Sequence, residues 1–276
     1  MQNSSNYVMV QIILAIIIIA LAFYLFKFYP FEKGNVKKLV IAAIFVILTS
    51  ICKRLAIMIP LFGLESLKIG FEYIPLMLAG YMLSPSYAFL IGLCSDLIGL
   101  ILVPTGFPFL GFTLGTILVS VIPSLVKEHT NSLEAHQIET LAKCFIVIIG
   151  IGASLYIYQL ESITISQTEY LLSFQHKLFF ILICIALVLI FLSLIYFLKK
   201  KINDQEAKSF SIWMLCVILV ELVVTLCLTP LWLEIMYGIP YIVSLCIRVI
   251  KECFVIPIEI FIGYTLIKIL NKTLVK

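Results

Sequence analysis

The chain has 276 residues, of which 63% are hydrophobic and 12% are charged, and its mean hydropathy is +1.18. An ordinary soluble domain carries about 25% charged residues, so a soluble protein of this length could not hide so much apolar surface. This composition excludes a soluble enzyme, a nucleic-acid-binding protein and a disordered chain, and it predicts a protein of the lipid bilayer. Continuous apolar runs, without strict alternation, also exclude a transmembrane β-barrel.

Hydropathy predicts nine membrane-spanning helices, since each needs about 20 apolar residues. The third is short and bounded by Pro75 and Pro85, so we expect it to be tilted or packed inside the bundle. The first lacks the basic start and the cleavage site of a secretory signal, which favours an uncleaved anchor. In chain order, the predicted spans are 8–29, 38–59, 73–84, 86–103, 109–126, 140–160, 177–198, 211–237 and 240–270.

The placement of lysines predicts the orientation of the chain. Cytoplasmic loops carry an excess of lysine and arginine, and with nine spans every lysine-rich loop falls on the same side. The stretch 161–174 contains glutamates but no lysine or arginine, and it falls on the opposite side. We therefore expect an external N-terminus and a cytoplasmic C-terminus. The lysines of the cytoplasmic side are Lys27, Lys33, Lys37, Lys38, Lys127, Lys199, Lys200, Lys201, Lys208, Lys268, Lys272 and Lys276.

Five other cationic side chains lie in or near the predicted membrane region at its outer face. Charges there are costly and often mark a functional site. Arginine binds carboxylates with two parallel hydrogen bonds and lysine acts as a point charge, so this set favours an anion site. For Lys53 alone we favour an extended side chain that reaches the interface. The five residues are Lys53, Arg54, Lys68, Arg248 and Lys251.

Six acidic residues fall within the predicted membrane region. Glu72 and Asp96 could face a polar cavity, whereas Arg248 and Glu252 are four residues apart and can simply pair on one helix face. The other three acids are Glu221, Glu234 and Glu259. The eight cysteines form no C-x-x-C pair and the three histidines form no recognisable ligand pattern, so we expect no metal site.

Three segments rich in helix-breaking residues lie at the predicted outer face. The segment 60–75 is too polar to span the membrane and predicts a structured external loop or a re-entrant lid. The segments 104–108 and 237–240 predict tight external turns. Together with the cations, these turns predict a binding site that is open to the outside and not a through-channel.

Small residues recur every three or four positions along the fourth span, at Ala88, Gly92, Ser95 and Gly99. This spacing lets another helix approach closely. Packing within the bundle and docking of a partner protein are equally compatible with the pattern.

Two stretches closely resemble the folate-type substrate-binding subunits, or S components, of energy-coupling factor (ECF) transporters. The shared motifs are SLKIGF followed by IP and LAG, A-x-x-x-G-x-x-x-D-L-I-G, PTG, GFTL, LW-x-x-x-x-YG-x-P, and R-x-x-K followed by PIE. They occur in the order of the family within residues 60–114 and 231–260, and the resemblance extends over about 38–127 and 210–271.

The resemblance implies a six-helix bundle that captures a vitamin outside the cell. Such subunits depend on a transmembrane coupling protein and two cytosolic ATPases, which agrees with the absence of a G-x-x-x-x-G-K-[ST] motif here. The implied arrangement is core helices one to four in 36–130 and five and six in 209–276, with an extra anchor in 1–35 and an inserted helix pair in 131–208. We expect these three added helices to be dispensable for ligand capture.

Folate is the ligand that the resemblance implies, as a transported molecule and not a resident cofactor. Its carboxylates suit the outer cations, its planar pterin ring suits aromatic side chains, and Glu72 or Asp96 could accept hydrogen bonds from the pterin edge. Lys68 stands where the family usually has arginine. The expected substrate contacts are Arg54, Lys68, Glu72, Tyr73, Asp96, Thr105, Trp232, Tyr237, Arg248 and Lys251, and the expected partner-docking residues are Ala88, Gly92 and Ser95.

Other functions remain open. The same scaffold could bind a different anionic or heterocyclic vitamin. An intramembrane lipid-modifying enzyme is less favoured, because Asp96 is the sole aspartate in the predicted spans and no histidine lies in the middle of one. A membrane chaperone or structural subunit would not explain the outer cations.

Overall fold

A computed structural model describes residues 4–32, 35–61, 64–102, 108–165, 168–199 and 204–274. The chain has the all-α fold of a polytopic membrane protein, with two short β-hairpins between its helices. A π-helical segment, Glu221–Leu228, joins α8 to α9. The helices are α1 (Ser4–Phe28), α2 (Val36–Arg54), α3 (Tyr73–Met82), α4 (Pro85–Leu102), α5 (Leu110–Thr130), α6 (Ala135–Gln159), α7 (Phe174–Lys199), α8 (Asp204–Val220), α9 (Thr229–Tyr237) and α10 (Tyr241–Leu274).

Each of the nine predicted spans overlaps a helical segment, and the all-α prediction is confirmed. Within the described ranges, seven helical segments are long and apolar enough to cross a membrane. The continuous segment α8–π–α9 is one of them. Two predicted spans are not in this set. They are α2, which carries basic residues at both ends, and α3, which is short. With 10 residues, α3 is about 15 Å long, which is half of the hydrocarbon core.

The second predicted span, 38–59, is wrong at its end. Helix α2 stops at Arg54, and Ile57–Leu61 forms strand β1, which pairs antiparallel with β2 (Leu64–Ile69). The register shifts between Ile59 and Pro60, where proline has no N–H to give to the ladder. The predicted loop 60–75 is thus mainly the second half of a hairpin followed by the start of α3; Phe62 and Gly63 lie outside the described residues.

A second hairpin occupies the stretch between α6 and α7 that lacks lysine and arginine. Strand β3 (Ser162–Ile165) pairs antiparallel with β4 (Thr168–Leu171). The two hairpins join helices, and their paired strands provide hydrogen-bond partners for backbone N–H and C=O groups that a loop would leave to water.

The chain divides into two compact units, residues 1–129 with 265–276 and residues 130–264. In the first unit, the added helix α1 packs on α4 and α5. Leu25 is fully buried in a cluster with residues of both helices, and Ser86 donates a hydrogen bond to the Leu25 carbonyl at 3.1 Å. At the other end of α1, the Gln11 side chain accepts a hydrogen bond from the Leu110 N–H at 3.0 Å. The other cluster members are Ala88, Phe89, Ile117 and Val121.

Small residues on α3 and α4 bring these helices against α5. A Cβ atom on Gly80 would lie 1.8 Å from the Ser120 carbonyl oxygen, and one on Gly92 would lie 2.7 Å from the Ile117 Cα. Ser120 also donates a hydrogen bond to the Ala88 carbonyl at 2.8 Å. Ala88, Gly92 and Ser95 are all buried, so their described contacts belong to packing within the unit. A docking role for these three residues stays a prediction.

In the second unit, the inserted helix α6 packs against both α7 and α8. Its residues Ile138, Ala142 and Ile146 are buried. Trp213 of α8 is fully buried and lies against Gly263 of α10, where a Cβ atom would be 2.1 Å from the indole ring. The added helices α1 and α6 both supply buried contacts to their units. The prediction that they are dispensable for ligand capture does not consider this packing.

The Gly80–Ser120 contact predicts the effect of one added methyl group. Gly80→Ala would force α3 away from the α5 backbone, and overpacking of this kind costs about 1–3 kcal/mol or more. We expect a clear fall in the melting temperature of the detergent-solubilised protein, followed by tryptophan fluorescence. Gly152→Ala on α6 is the control, because its Cβ atom would meet nothing within 4 Å and alanine favours helix. Equal melting temperatures for the two variants would contradict this close approach.

Candidate functional site

The two basic residues that end α2 both bind α4. The Arg54 guanidinium donates a hydrogen bond from Nη2 to the carbonyl oxygen of Leu102, the last residue of α4, at 2.9 Å. Lys53 Nζ lies 3.0 Å from Asp96 Oδ1 and 3.5 Å from the Ser95 carbonyl oxygen. A cation beside the last carbonyls of a helix is favourable, because the negative end of the helix dipole lies there. The C-terminal ends of α2 and α4 are therefore fixed together.

Asp96 is the centre of a polar network that joins three helices. Its Oδ2 accepts a hydrogen bond from Thr113 at 2.8 Å, and its Oδ1 accepts one from Thr116 at 3.3 Å in addition to the Lys53 ion pair. Gly99 leaves room for this pair, since a Cβ atom there would lie 3.1 Å from the Lys53 side chain. Such a network gives a buried carboxylate the hydrogen bonds and the counter-charge that lipid cannot provide.

This network changes the interpretation of Lys53. The lysine does not extend to the interface as the sequence suggested; its side chain is 17% exposed and its ammonium group binds Asp96. Asp96 stays a predicted substrate contact. Both of its oxygens already accept hydrogen bonds from side chains, so a ligand would have to share or displace these partners.

Glu72 lies at the junction of the first hairpin and α3. It is buried and directly precedes the helix, whereas its neighbour Phe71 is exposed. The backbone is tight here, because a Cβ atom on Gly70 would be 2.7 Å from the Ala56 Cβ and 3.8 Å from Glu72 Oε2. A buried carboxylate beside an exposed aromatic ring offers a hydrogen-bond acceptor and a stacking surface to a planar ligand. Tyr73 follows as the first residue of α3.

Two other predicted substrate contacts, Lys68 and Thr105, belong to the first hairpin and to the predicted turn after α4. Lys68 pairs with Met58 across the first hairpin. Thr105, with the rest of the predicted turn 104–108 except Pro108, lies outside the described residues.

The remaining predicted contacts belong to the second unit. Trp232 is buried in α9, and Tyr237 at the end of that helix is half-exposed. Gly238 ends α9 with a left-handed backbone conformation, φ 66°, and its N–H bonds the Glu234 carbonyl at 2.9 Å. The predicted turn 237–240 thus separates α9 from α10.

The cations of α10 have close partners along their own helix. Arg248 is buried, and its Nε donates a hydrogen bond to Ser244 Oγ at 3.4 Å. Lys251 forms an ion pair with Glu252, with 2.9 Å between Nζ and Oε1. The sequence suggested that Arg248 pairs with Glu252. The ion pair that the structure describes for Glu252 is with Lys251, its direct neighbour in the chain.

The inserted helix α6 also contacts the start of α10. The rings of Tyr156 and Tyr241 meet edge to face with 5.6 Å between centroids, and the Tyr241 hydroxyl donates to the Leu226 carbonyl at 3.3 Å. Sequence reasoning missed this contact, because α6 carries no charge in the middle of its predicted span to draw attention. Within the described part of the chain, no group of three or more histidine, cysteine, aspartate or glutamate residues is arranged to hold a metal ion.

No family model matches this chain. The chain is similar to the Folate transporter FolT of Clostridium novyi (strain NT), with 39% identity over 56 residues. The match covers 20% of this chain and 33% of the relative, so the chain matches about a third of the relative's length. A local match of this kind supports a relation to folate transporters, and the activity of the whole chain is a matter for proposal.

The Lys53–Asp96 pair predicts a test of the polar network. Asp96→Asn leaves the Lys53 charge buried without its counter-charge, which costs about 3–5 kcal/mol of stability. The double variant Lys53→Met with Asp96→Leu should recover much of that loss, because no unpaired charge remains. Thermal unfolding in detergent measures both.

Glu32→Gln provides the control for this test. Its carboxylate pairs with Lys38 in the first turn of α2, where both side chains are partly exposed and water screens the charges, so its loss should leave the melting temperature unchanged. If Asp96→Asn and Glu32→Gln unfold alike, the network does not stabilise the first unit.

Proposed function

We propose that this chain is the folate-binding subunit of an ECF-type importer. The observation that carries the proposal is the 39% identity over 56 residues to a folate transporter. The polytopic all-α fold and the motif resemblance agree with a transport subunit, and the proposed role is transport and not catalysis. Folate is then captured from outside the cell, with the N-terminus outside and the C-terminus in the cytoplasm.

Arg54 is the residue best placed for the folate glutamate tail. Its described hydrogen bond to Leu102 uses one of the five N–H donors of a guanidinium group. The side chain is exposed, so the remaining donors can bind a carboxylate through two parallel hydrogen bonds. The bond to the end of α4 holds the guanidinium in position before the ligand arrives, which reduces the entropy lost on binding.

Phe71 and Glu72 suit the other end of the ligand. The exposed Phe71 ring can stack on a pterin, and the Glu72 carboxylate can accept hydrogen bonds from the amino and N–H groups at a pterin edge. Trp232, Tyr237, Arg248 and Lys251 of the second unit stay predicted contacts from the sequence.

ATP-driven uptake by this chain requires partners. The sequence has no phosphate-binding ATPase motif, so a transmembrane coupling protein and two cytosolic ATPases would supply the energy. A different anionic or heterocyclic vitamin is the second candidate ligand. Lys68 favours it, since a lysine there keeps the charge but loses the two-pronged geometry of the arginine that the resembling family usually has.

The folate proposal predicts binding by the purified protein without ATP. Isothermal titration should give saturable heat with folate and none with riboflavin or biotin. Arg54→Ala should weaken folate binding by about 1.5–3 kcal/mol, roughly 10- to 150-fold, the range for a hydrogen bond to a charged group. Arg54→Lys should lose less, because the positive charge remains.

Lys27→Ala is the matched control for charge, since Lys27 lies at the end of α1, near the Phe23 and Phe28 rings, on the predicted cytoplasmic side. Its affinity for folate should equal that of the unmodified protein. Tight binding of another vitamin with no response to folate would favour the second candidate. An unchanged folate affinity of Arg54→Ala would mean that Arg54 does not bind folate and only fixes the end of α4.

Dependence on partners is tested in proteoliposomes. The protein alone should bind labelled folate but not accumulate it, and accumulation should appear when the coupling protein, the ATPases and ATP are added. ATPases that cannot hydrolyse ATP are the control. Accumulation by the protein alone would overturn the importer-subunit assignment and leave the binding result intact.

A further inference from the structure

Three glutamates of the second unit lie together inside helices that can cross the membrane. Glu221 begins the π-helical segment, and Glu252 and Glu259 lie seven residues apart on α10, two turns along one face. Their exposed fractions are 1%, 0% and 2%. The three carboxyl groups are close enough for their charges to interact, and the two carboxyl oxygens of Glu221 have no hydrogen-bond partner among the described residues.

The charges around this cluster do not balance if all three carboxyl groups are ionised. Among the described contacts of the second unit, the charged groups that face one another here are the three glutamates and Lys251, which lies 2.9 Å from Glu252 Oε1. Three carboxylates and one ammonium would leave two negative charges without compensation. Uncompensated charge in a low-dielectric interior is costly, and like-charged carboxyl groups that share a site avoid the cost by retaining protons.

An uncharged polar side chain is also buried at this cluster. The Thr225 hydroxyl is 2% exposed, lies beside the Glu221 carboxyl group and has no hydrogen-bond partner among the described residues. A hydroxyl can donate to a carboxylate or accept from a carboxylic acid, so it serves Glu221 in either state.

The backbone is irregular at the same place. In the segment Glu221–Leu228, the Thr229 hydroxyl donates to the Val224 carbonyl at 2.7 Å, while Tyr241 bonds Leu226. π-Helical turns are rare and occur often at functional sites. The cluster is therefore built around a helix distortion that extra hydrogen bonds maintain.

We propose that Glu221, Glu252 and Glu259 form a proton-binding site within the membrane, which shares two protons at neutral pH. Two protons on three carboxyl groups leave one carboxylate, which the Lys251 ammonium balances. Removal of these protons places repelling charges between the π-helical segment and α10, so the packing of these two elements depends on proton binding. The site does not depend on the identity of the transported ligand.

Infrared spectroscopy of the protein in lipid nanodiscs tests this site. Protonated carboxylic acids absorb apart from carboxylates and shift when H₂O is replaced by D₂O. The unmodified protein should show this band at neutral pH, and Glu221→Gln, Glu252→Gln and Glu259→Gln should each reduce it. Glu234→Gln, an exposed glutamate of α9, is the matched control and should leave the band unchanged. Lys251→Met should strengthen the band, because the cluster then needs a third proton to reach neutrality.

The proposal is overturned if the unmodified protein shows no such band at neutral pH, or if all three glutamine variants retain it in full. Should these variants fail to fold, an alkaline titration of the unmodified protein decides. A folded state that binds more protons than the unfolded state loses stability as the pH rises. The band should disappear and the melting temperature should fall together, and a melting temperature that is constant while the band disappears would also overturn the proposal.

Discussion

Lipid does not solvate charge, and this constraint accounts for the polar contacts that organise both units. Asp96 is buried and Lys53 is mostly buried because each neutralises the other, and Thr113 and Thr116 complete the hydrogen bonding of the carboxylate. The pair ties α2, α4 and α5 at the end where the sequence places the ligand. In the second unit the same constraint acts on three glutamates and one lysine, where it favours bound protons instead of a second cation.

Close packing between helices also stabilises the first unit. Helices in lipid gain little from hydrophobic burial, so they associate through tight van der Waals contact and hydrogen bonds between helices. Gly80 and Gly92 place the backbones of α3 and α4 directly against α5, and Ser120 bonds across the contact. The small-residue stripe on α4 is thus occupied within the unit, which is one of the two interpretations that its spacing allowed.

The sequence predicts the spans well because hydropathy depends on composition within about 20 residues. It fails at Ile57–Leu61, an apolar run that is equally compatible with helix or strand until its pairing with β2 is known. Lys53 and Asp96 are 43 positions apart, and Glu221 lies 31 positions before Glu252, so no local pattern connects these partners. The π-helical segment has no signature in composition either, so Glu221 could be named as an intramembrane acid but not placed beside Glu259.

The added helices bear directly on the proposed assembly. If a coupling protein docked on the stripe of α4, it would meet Ala88, which is buried in one cluster with Leu25 of α1. Helix α1 is held there by more than apolar contact, since Ser86 bonds the Leu25 carbonyl and Gln11 bonds the start of α5. Docking at Ala88 therefore requires α1 to leave α4, whereas docking elsewhere on the first unit does not. An importer subunit built on this unit would therefore either release α1 or present a different face to its partner.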